Sequence, residues 1–174
     1  SQDYPSTNLA NEPKKMKYRF NWNAAILVSA HDPHTVYHAG NVLLKSTNAG
    51  MNWEVISPDL TRNEKSKQGA GGGPFTNEGA GGENYNTIYY IAESSLERGV
   101  IWTGSDCGLV QVTLDEGKIW TNVTPPGLAE SQINSIELSS FDKGTTYISA
   151  TRYKFNDYAS YTYKTTDNGK TWSL

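Results

Sequence analysis

One eight-residue frame occurs three times in this chain, and it limits the folds open to it more than any other feature. Ser46-Thr47-Asn48-Ala49-Gly50-Met51-Asn52-Trp53, Thr113-Leu114-Asp115-Glu116-Gly117-Lys118-Ile119-Trp120 and Thr165-Thr166-Asp167-Asn168-Gly169-Lys170-Thr171-Trp172 share the pattern Ser/Thr, any, Asp/Asn, any, Gly, any, any, Trp. Each residue type has a turn-building reason to stand where it does. Asn48, Asp115 and Asp167 offer side-chain oxygens to nearby backbone N–H groups, and Gly50, Gly117 and Gly169 reach positive φ without strain. Trp53, Trp120 and Trp172 supply a large ring to anchor the returning strand. The frame predicts a hairpin turn between two antiparallel strands, a structural motif with no binding role.

The flanks agree with that reading. Val42-Leu43-Leu44 and Glu54-Val55-Ile56 enclose the first frame, Leu109 to Val112 and Thr121-Asn122-Val123 the second, and Tyr161-Thr162-Tyr163 precedes the third. These are short β-branched or aromatic runs. Two further strand-like runs precede each frame in the same order: Ala25 to Ser29 then Val36 to Ala39, Thr87 to Ala92 then Val100 to Thr103, Ile133 to Leu138 then Thr146 to Ala150. A four-stranded antiparallel unit repeated in this way is the signature of propeller blades. The expected fold class is therefore all-β, a β-propeller fragment of about three four-stranded antiparallel blades, the third lacking most of its outer strand. The divisions expected are a leading loop over 1–23, blades over 24–57, 86–124 and 133–174, a Gly-rich insertion over 58–85 and a loop over 125–132. Rings usually need four to eight blades, so the remaining blades, or other chains of an assembly, are the expected partners.

Composition excludes several functions. With 15 basic against 18 acidic residues the formal charge is −3, which gives no positive field for nucleic acid. Lys14, Lys15, Lys17 and Arg19 do cluster, and read as a solvated loop. A single cysteine, Cys107, permits no internal disulfide and no multi-thiolate metal site. No run approaches the roughly 20 apolar residues of a membrane helix, and Ser1-Gln2-Asp3-Tyr4 does not read as a signal peptide.

Over Ala24 to Trp172 the chain resembles the Asp-box, or bacterial neuraminidase repeat, superfamily of sialidases, two-propeller xyloglucan-cleaving glycosidases and the luminal domain of sortilin. His31-Asp32-Pro33-His34-Thr35-Val36-Tyr37, Gly81-Gly82-Glu83-Asn84-Tyr85-Asn86-Thr87-Ile88 and Ile101-Trp102-Thr103-Gly104-Ser105-Asp106 are similar to segments of large secreted bacterial proteins described as sortilin-like or glycosyl-hydrolase-like. Asn48 stands where the first box usually carries Asp. No sialidase arginine triad or Tyr/Glu nucleophile pair maps onto this sequence, and Arg62, Arg98 and Arg152 have no motif that would place them in one. The resemblance implies that the box turns lie on one face of the disc and that ligands meet the other. It also implies an extracellular, periplasmic or cell-surface location.

That opposite face is built from links between second and third strands and from blade-to-blade links, and both long insertions belong to these classes. Pro58 to Tyr85 carries Ala70-Gly71-Gly72-Gly73-Pro74 but no GxxxxGK[ST] frame, so it is not a phosphate loop. Arg152 to Ser160 sets aromatic rings beside hydrogen-bonding groups, a mixture that suits a sugar or a peptide. The candidate ligand-binding residues are Glu83, Asn84, Tyr85, Asp106, Arg152 and Tyr153, with Arg152 positioned to hold a carboxylate and with Tyr85 and Arg152 expected to lie outside the blade cores. Glu78, Glu83, Asp106 and Asp157 are the acids from which a glycosidase pair would have to come, though sequence assigns none of them a catalytic role. His31, His34 and His38 do not converge on a strand, and the boxes hold too few acids for a calcium site of six to eight oxygens. No metal or cofactor is implied. The functional expectation is a non-catalytic extracytoplasmic module for protein or glycan binding or surface assembly. Its alternative is part of a glycoside hydrolase with catalytic acids partly outside the chain.

Overall fold

The structure, a computed structural model, describes residues 12–69, 82 and 84–174. It is all-β, with no α-helix among the described residues. Eleven strands form three antiparallel sheets in chain order. Strands β1 (Ile26–Val28), β2 (Val36–Ala39), β3 (Leu43–Ser46) and β4 (Glu54–Val55) make the first, and β5 (Ile88–Glu93), β6 (Ile101–Ser105), β7 (Val110–Thr113) and β8 (Thr121–Asn122) the second. The third pairs β9 (Gln132–Leu138), β10 (Thr146–Arg152) and β11 (Asp157–Thr165), with a bridge from Lys164 to Ser173 in the place of a fourth strand.

All three repeat frames form the turn after a third strand, with one hydrogen-bond pattern. The first-position hydroxyl donates to the third side chain and accepts the glycine N–H: Thr165 Oγ1 lies 2.8 Å from Asp167 Oδ1 and 2.9 Å from Gly169 N. Thr113 repeats this at 2.8 and 2.9 Å, and Ser46 at 3.0 and 2.8 Å. The third side chain then accepts the seventh N–H at 2.9 Å in every copy, Asn52, Ile119 and Thr171. Two successive positive-φ residues make the reversal, Ala49 and Gly50, Glu116 and Gly117, Asn168 and Gly169.

A second repeat lies in the turn between the first two strands of each sheet. Ser29, Ser94 and Ser139 each take an N–H two residues on with their hydroxyl, His31 at 3.1 Å, Leu96 at 3.2 Å and Phe141 at 3.1 Å. Such a side-chain bond closes the reversal without glycine at its start.

The cores lie between sheets. Tyr37, Ala39, Leu43, Leu60, Ile88, Ile91 and Ile101 fill the space between the first and second, and Trp102, Val110, Val112, Ile133, Ile136 and Ile148 lead the larger core between the second and third. Period-two alternation explains how one strand serves both: Ile101 faces back and Trp102 faces forward. Gly104 makes room for that contact, since a Cβ there would fall 2.4 Å from Ile133 Cγ2. The turn tryptophans also cross between sheets, with Trp120 Nε1 donating to Ile56 O at 2.9 Å and Trp172 Nε1 to Val123 O at 2.8 Å.

Arg19 departs from the solvated reading of the basic cluster. It is buried, with Nη2 donating to Asp59 Oδ2 at 2.6 Å and Thr61 Oγ1 at 3.2 Å, and Nε donating to Asn86 O at 3.1 Å. Lys14, Lys15 and Lys17 are exposed.

Candidate functional site

In an antiparallel meander the first and third turns share one end of the sheet, while the second turn and the crossing to the next sheet share the other. The run into β5, the β6–β7 link and the β10–β11 link therefore gather at the end away from the repeat turns. They enclose a polar cavity of about 160 Å³, lined by Asn84 and Tyr85 from the first, Asp106 from the second, and Tyr153 and Lys154 from the third. Asn21, Trp22 and Asn23 from the leading segment, Tyr89 from β5 and Gln132 from β9 complete it. This is below the roughly 300–1,000 Å³ of sites that swallow a drug-sized ligand, so it has room for one small polar group or ring of something larger.

Asp106 is the buried acid of this cavity, 7% exposed. Its Oδ1 accepts Thr87 N–H at 2.9 Å and its Oδ2 accepts the Thr87 hydroxyl at 2.8 Å. Burial pushes the carboxyl up to about 7 against the pull of those two bonds, because the charged form loses more hydration than Thr87 returns. Next to it Cys107 is buried, its thiol pushed up to about 11 by burial and then by the Asp106 charge.

The other expected site residues divide. Asn84 is turned to structure, with Nδ2 donating to Phe20 O at 2.6 Å. Tyr85 is only 4% exposed and donates to Glu130 Oε1, whose other oxygen accepts Lys67 Nζ at 2.6 Å. The expectation that Tyr85 can be removed without touching a core is thus corrected: its ring is buried, and burial with the Glu130 contact raises the phenol above its ordinary range. Burial alone would lift the Glu130 carboxyl, but the Lys67 and Tyr85 hydrogen bonds outweigh it and hold the group low. Arg152 does not line the cavity. It already holds a carboxylate of this chain, that of Asp157, and its Nε donates to Glu130 O at 3.0 Å. Tyr153 is half exposed at the mouth. Glu78 and Glu83 lie outside the described residues.

Sequence reasoning passed over Asn21, Trp22 and Asn23, an exposed ring between two amides. The same residue classes singled out Asn84 and Tyr85, but Trp22 sits in a segment read as a linker. Its backbone N–H donates to Gly82 O at 3.0 Å, and a Cβ on Gly82 would meet the indole ring at 2.6 Å, so the absence of a side chain there lets the ring lie close against the chain. The histidines have separate partners: His31 Nε2 lies 2.7 Å from Ser94 O and His38 Nδ1 lies 3.3 Å from Ala25 O.

Solved structures share this fold. An ancestral GH74 enzyme superposes with a TM-score of 0.61 at 14% identity over 97% of this chain and 19% of its own. YCF48 from Cyanidioschyzon merolae gives 0.57 at 14% identity over 99% and 42%, and YCF48 bound to D1 peptide gives 0.53 at 16% over 89% and 41%. The fold is that of a β-propeller, in part. The chain spans less than half the length of each of these structures. No family model and no curated protein matches it.

The leading segment and the links of the second and third sheets thus contribute to one recess, away from the repeat turns. Asp106 is the one acid lining it among the described residues. Asp157, the other described acid proposed from sequence on this face, is engaged by Arg152 and by Tyr161 Oη at 2.6 Å.

Proposed function

We propose that this chain is part of an extracytoplasmic propeller of the Asp-box kind, sortilin-like in type, with blades at 24–57, 86–124 and 133–174. Its ligand is a glycan or peptide held at the end away from the box turns. The observation that carries this reading is the convergence of side chains from three separate links on the recess over Asp106. Two exposed rings, Trp22 and Tyr153, stand beside buried amides and a carboxyl, which gives apolar contact area next to orienting hydrogen-bond groups. A peptide ligand is supported by the fold likeness to YCF48, which has been solved bound to D1 peptide.

The test is binding by the complete protein to glycan and peptide arrays, repeated with Trp22→Ala and Tyr153→Ala. Each loses an exposed ring, so thermal unfolding should be nearly unchanged while affinity falls about tenfold, the loss of roughly 1.4 kcal/mol. Unaltered binding in both folded variants would remove the recess from consideration.

A second reading, part of a glycoside hydrolase, rests on Asp106. A buried carboxyl that titrates near neutrality is suited to proton donation, and the fold is shared with GH74 enzymes. It requires a second carboxylate at about 5 to 9.5 Å from the first. Loss of glycan cleavage by the complete protein on Asp106→Asn, with binding retained, would favour it over the non-catalytic module.

A further inference from the structure

The polar groups of the recess are unevenly divided between donors and acceptors. Asn84 and Asn21 each spend an amide N–H on a backbone carbonyl of this chain, Asn84 Nδ2 on Phe20 O at 2.6 Å and Asn21 Nδ2 on Asn84 O at 3.0 Å. A carbonyl can only accept, so these bonds fix which end of each amide is nitrogen. Asn84 Oδ1 is then left with no donor among the described residues, although the residue is only 2% exposed, and Asn21 Oδ1 takes only the Asn23 N–H, at 3.5 Å. Asp106 adds a third acceptor. Each of its oxygens holds one hydrogen bond from Thr87 and retains a lone pair. All three side chains line the same recess. A buried acceptor without a donor is unfavourable, so the recess favours a group that brings N–H donors and positive charge.

Size and geometry narrow the donor. The volume of about 160 Å³ admits one small group. Three acceptors from three segments, the leading segment, the run into β5 and the β6–β7 link, match the three N–H bonds of an ammonium. A guanidinium fork matches the two oxygens of one carboxylate side by side, and on Asp106 that approach is already used by the N–H and hydroxyl of Thr87. At the mouth the exposed rings of Trp22 and Tyr153 offer surface to a methylene stem and its charged end.

We propose that the recess receives a lysine side chain of a peptide ligand, its ammonium donating to Asn21 Oδ1, Asn84 Oδ1 and Asp106 and its stem lying along Trp22 and Tyr153. This rests on the reading of the recess as a ligand site and names the group it selects. Lys154, the one cation lining the recess among the described residues, stands 6.0 Å from the Tyr153 ring centre and opposes a second positive charge. Around Asp106 stand Cys107 beside it, Tyr85 and Tyr89 from the first link and β5, Tyr153 and Lys154 from the third link, and Arg19 from the leading segment. Asp106 titrates at about 7, Cys107 at about 11 and Tyr85 above its ordinary range. The ammonium stays charged across neutrality and prefers the ionised carboxylate, so affinity rises as pH passes upward through about 7.

The test titrates the full chain with Nα-acetyl-lysine methylamide, its Nε-acetylated form and methyl glucosaminide, read by NMR at the Trp22 indole N–H and the Thr87 amide. The free amine should shift both resonances to saturation. The Nε-acetylated form keeps the stem but loses the charge, and should bind at least about tenfold more weakly. Asp106→Asn should cost the free amine a similar factor and remove its pH dependence, while Lys154→Met should strengthen it about two- to fivefold, with thermal melts confirming that both variants are folded. Equal binding of the two lysine forms overturns the inference alone, since the recess would then not read charge. Tighter binding of methyl glucosaminide overturns it in favour of an amino sugar. No shift from the free amine also overturns it, alone if array ligands still depend on Trp22 and Tyr153, and together with the underlying reading if they do not.

Discussion

At the scale of the residue, a single hydroxyl holds each repeat turn together. Thr165 Oγ1 donates to Asp167 and accepts the buried N–H contact from Gly169, so Thr165→Val removes both bonds at nearly constant volume. The expected cost is about 1–3 kcal/mol, since a backbone donor is left without an acceptor, and urea unfolding would measure it. Charge then separates the copies. Hydrogen bonds from the Thr171 hydroxyl and N–H hold the Asp167 carboxyl at about 2, and the Ile119 N–H with the Thr113 hydroxyl lowers Asp115, while Asn48 cannot titrate. A depressed carboxyl contributes stability above its unfolded value and loses it as pH falls through the folded one. Amide exchange in the third turn should therefore accelerate as pH is lowered from about 4 to about 2, once the intrinsic rate is corrected for, with the first turn unaffected. Asp106 carries the opposite sign. Its folded value of about 7 lies above the ordinary 3.8, so the folded state binds the extra proton, and stability declines as pH rises between them. Asp106→Asn keeps an acceptor for Thr87 N–H and should flatten thermal stability across that window.

At the scale of the element, legibility followed the range of the interaction that decides it. Alternation and turn chemistry are local, so the frames at 46–53, 113–120 and 165–172 announce the third turn of each sheet. The sheets of four, four and three strands followed from the runs around them. What sequence did not disclose is set by contacts far along the chain. The destination of Trp120, the carbonyl of Ile56, lies 64 residues away, and Arg19 finds Asn86 across 67. Tyr85 read as a loop aromatic because nothing nearby in sequence announces Glu130 as its acceptor. Inter-sheet fit is of the same kind. Gly104→Ala should push against Ile133 and cost about 1–3 kcal/mol, as overpacking does, with the loss confined in hydrogen exchange to the second and third sheets. Trp172→Phe should cost about 0.5–1.5 kcal/mol for the bond to Val123, measured by the same unfolding transition.

At the scale of the whole molecule, the two cores of the described residues lie between successive sheets, so stability is approximately a sum of interface terms. Equivalent positions then differ in worth by their place in the order. Ile136→Ala should cost about 2–5 kcal/mol, the range for a buried large-to-small change, whereas Ile26→Ala in this chain should stay within about 0.5 kcal/mol, and paired thermal melts decide between them. The recess obeys the same arithmetic. Because its lining comes from the leading segment and from the second and third sheets, a ligand bound there ties these units together and should raise the melting temperature.

The backward reach of the turn tryptophans gives the fold a direction. Trp120 seals the end of the first sheet, and Trp172 seals the end of the second. During synthesis the N-terminal part emerges first. Each outer strand therefore stays unlatched until the ribosome has delivered the turn of the next unit, some fifty residues or more downstream. A nascent propeller of this kind closes behind itself like a ratchet. Its most vulnerable point to a protease or a stray β-edge is always the outer strand of the unit most recently made.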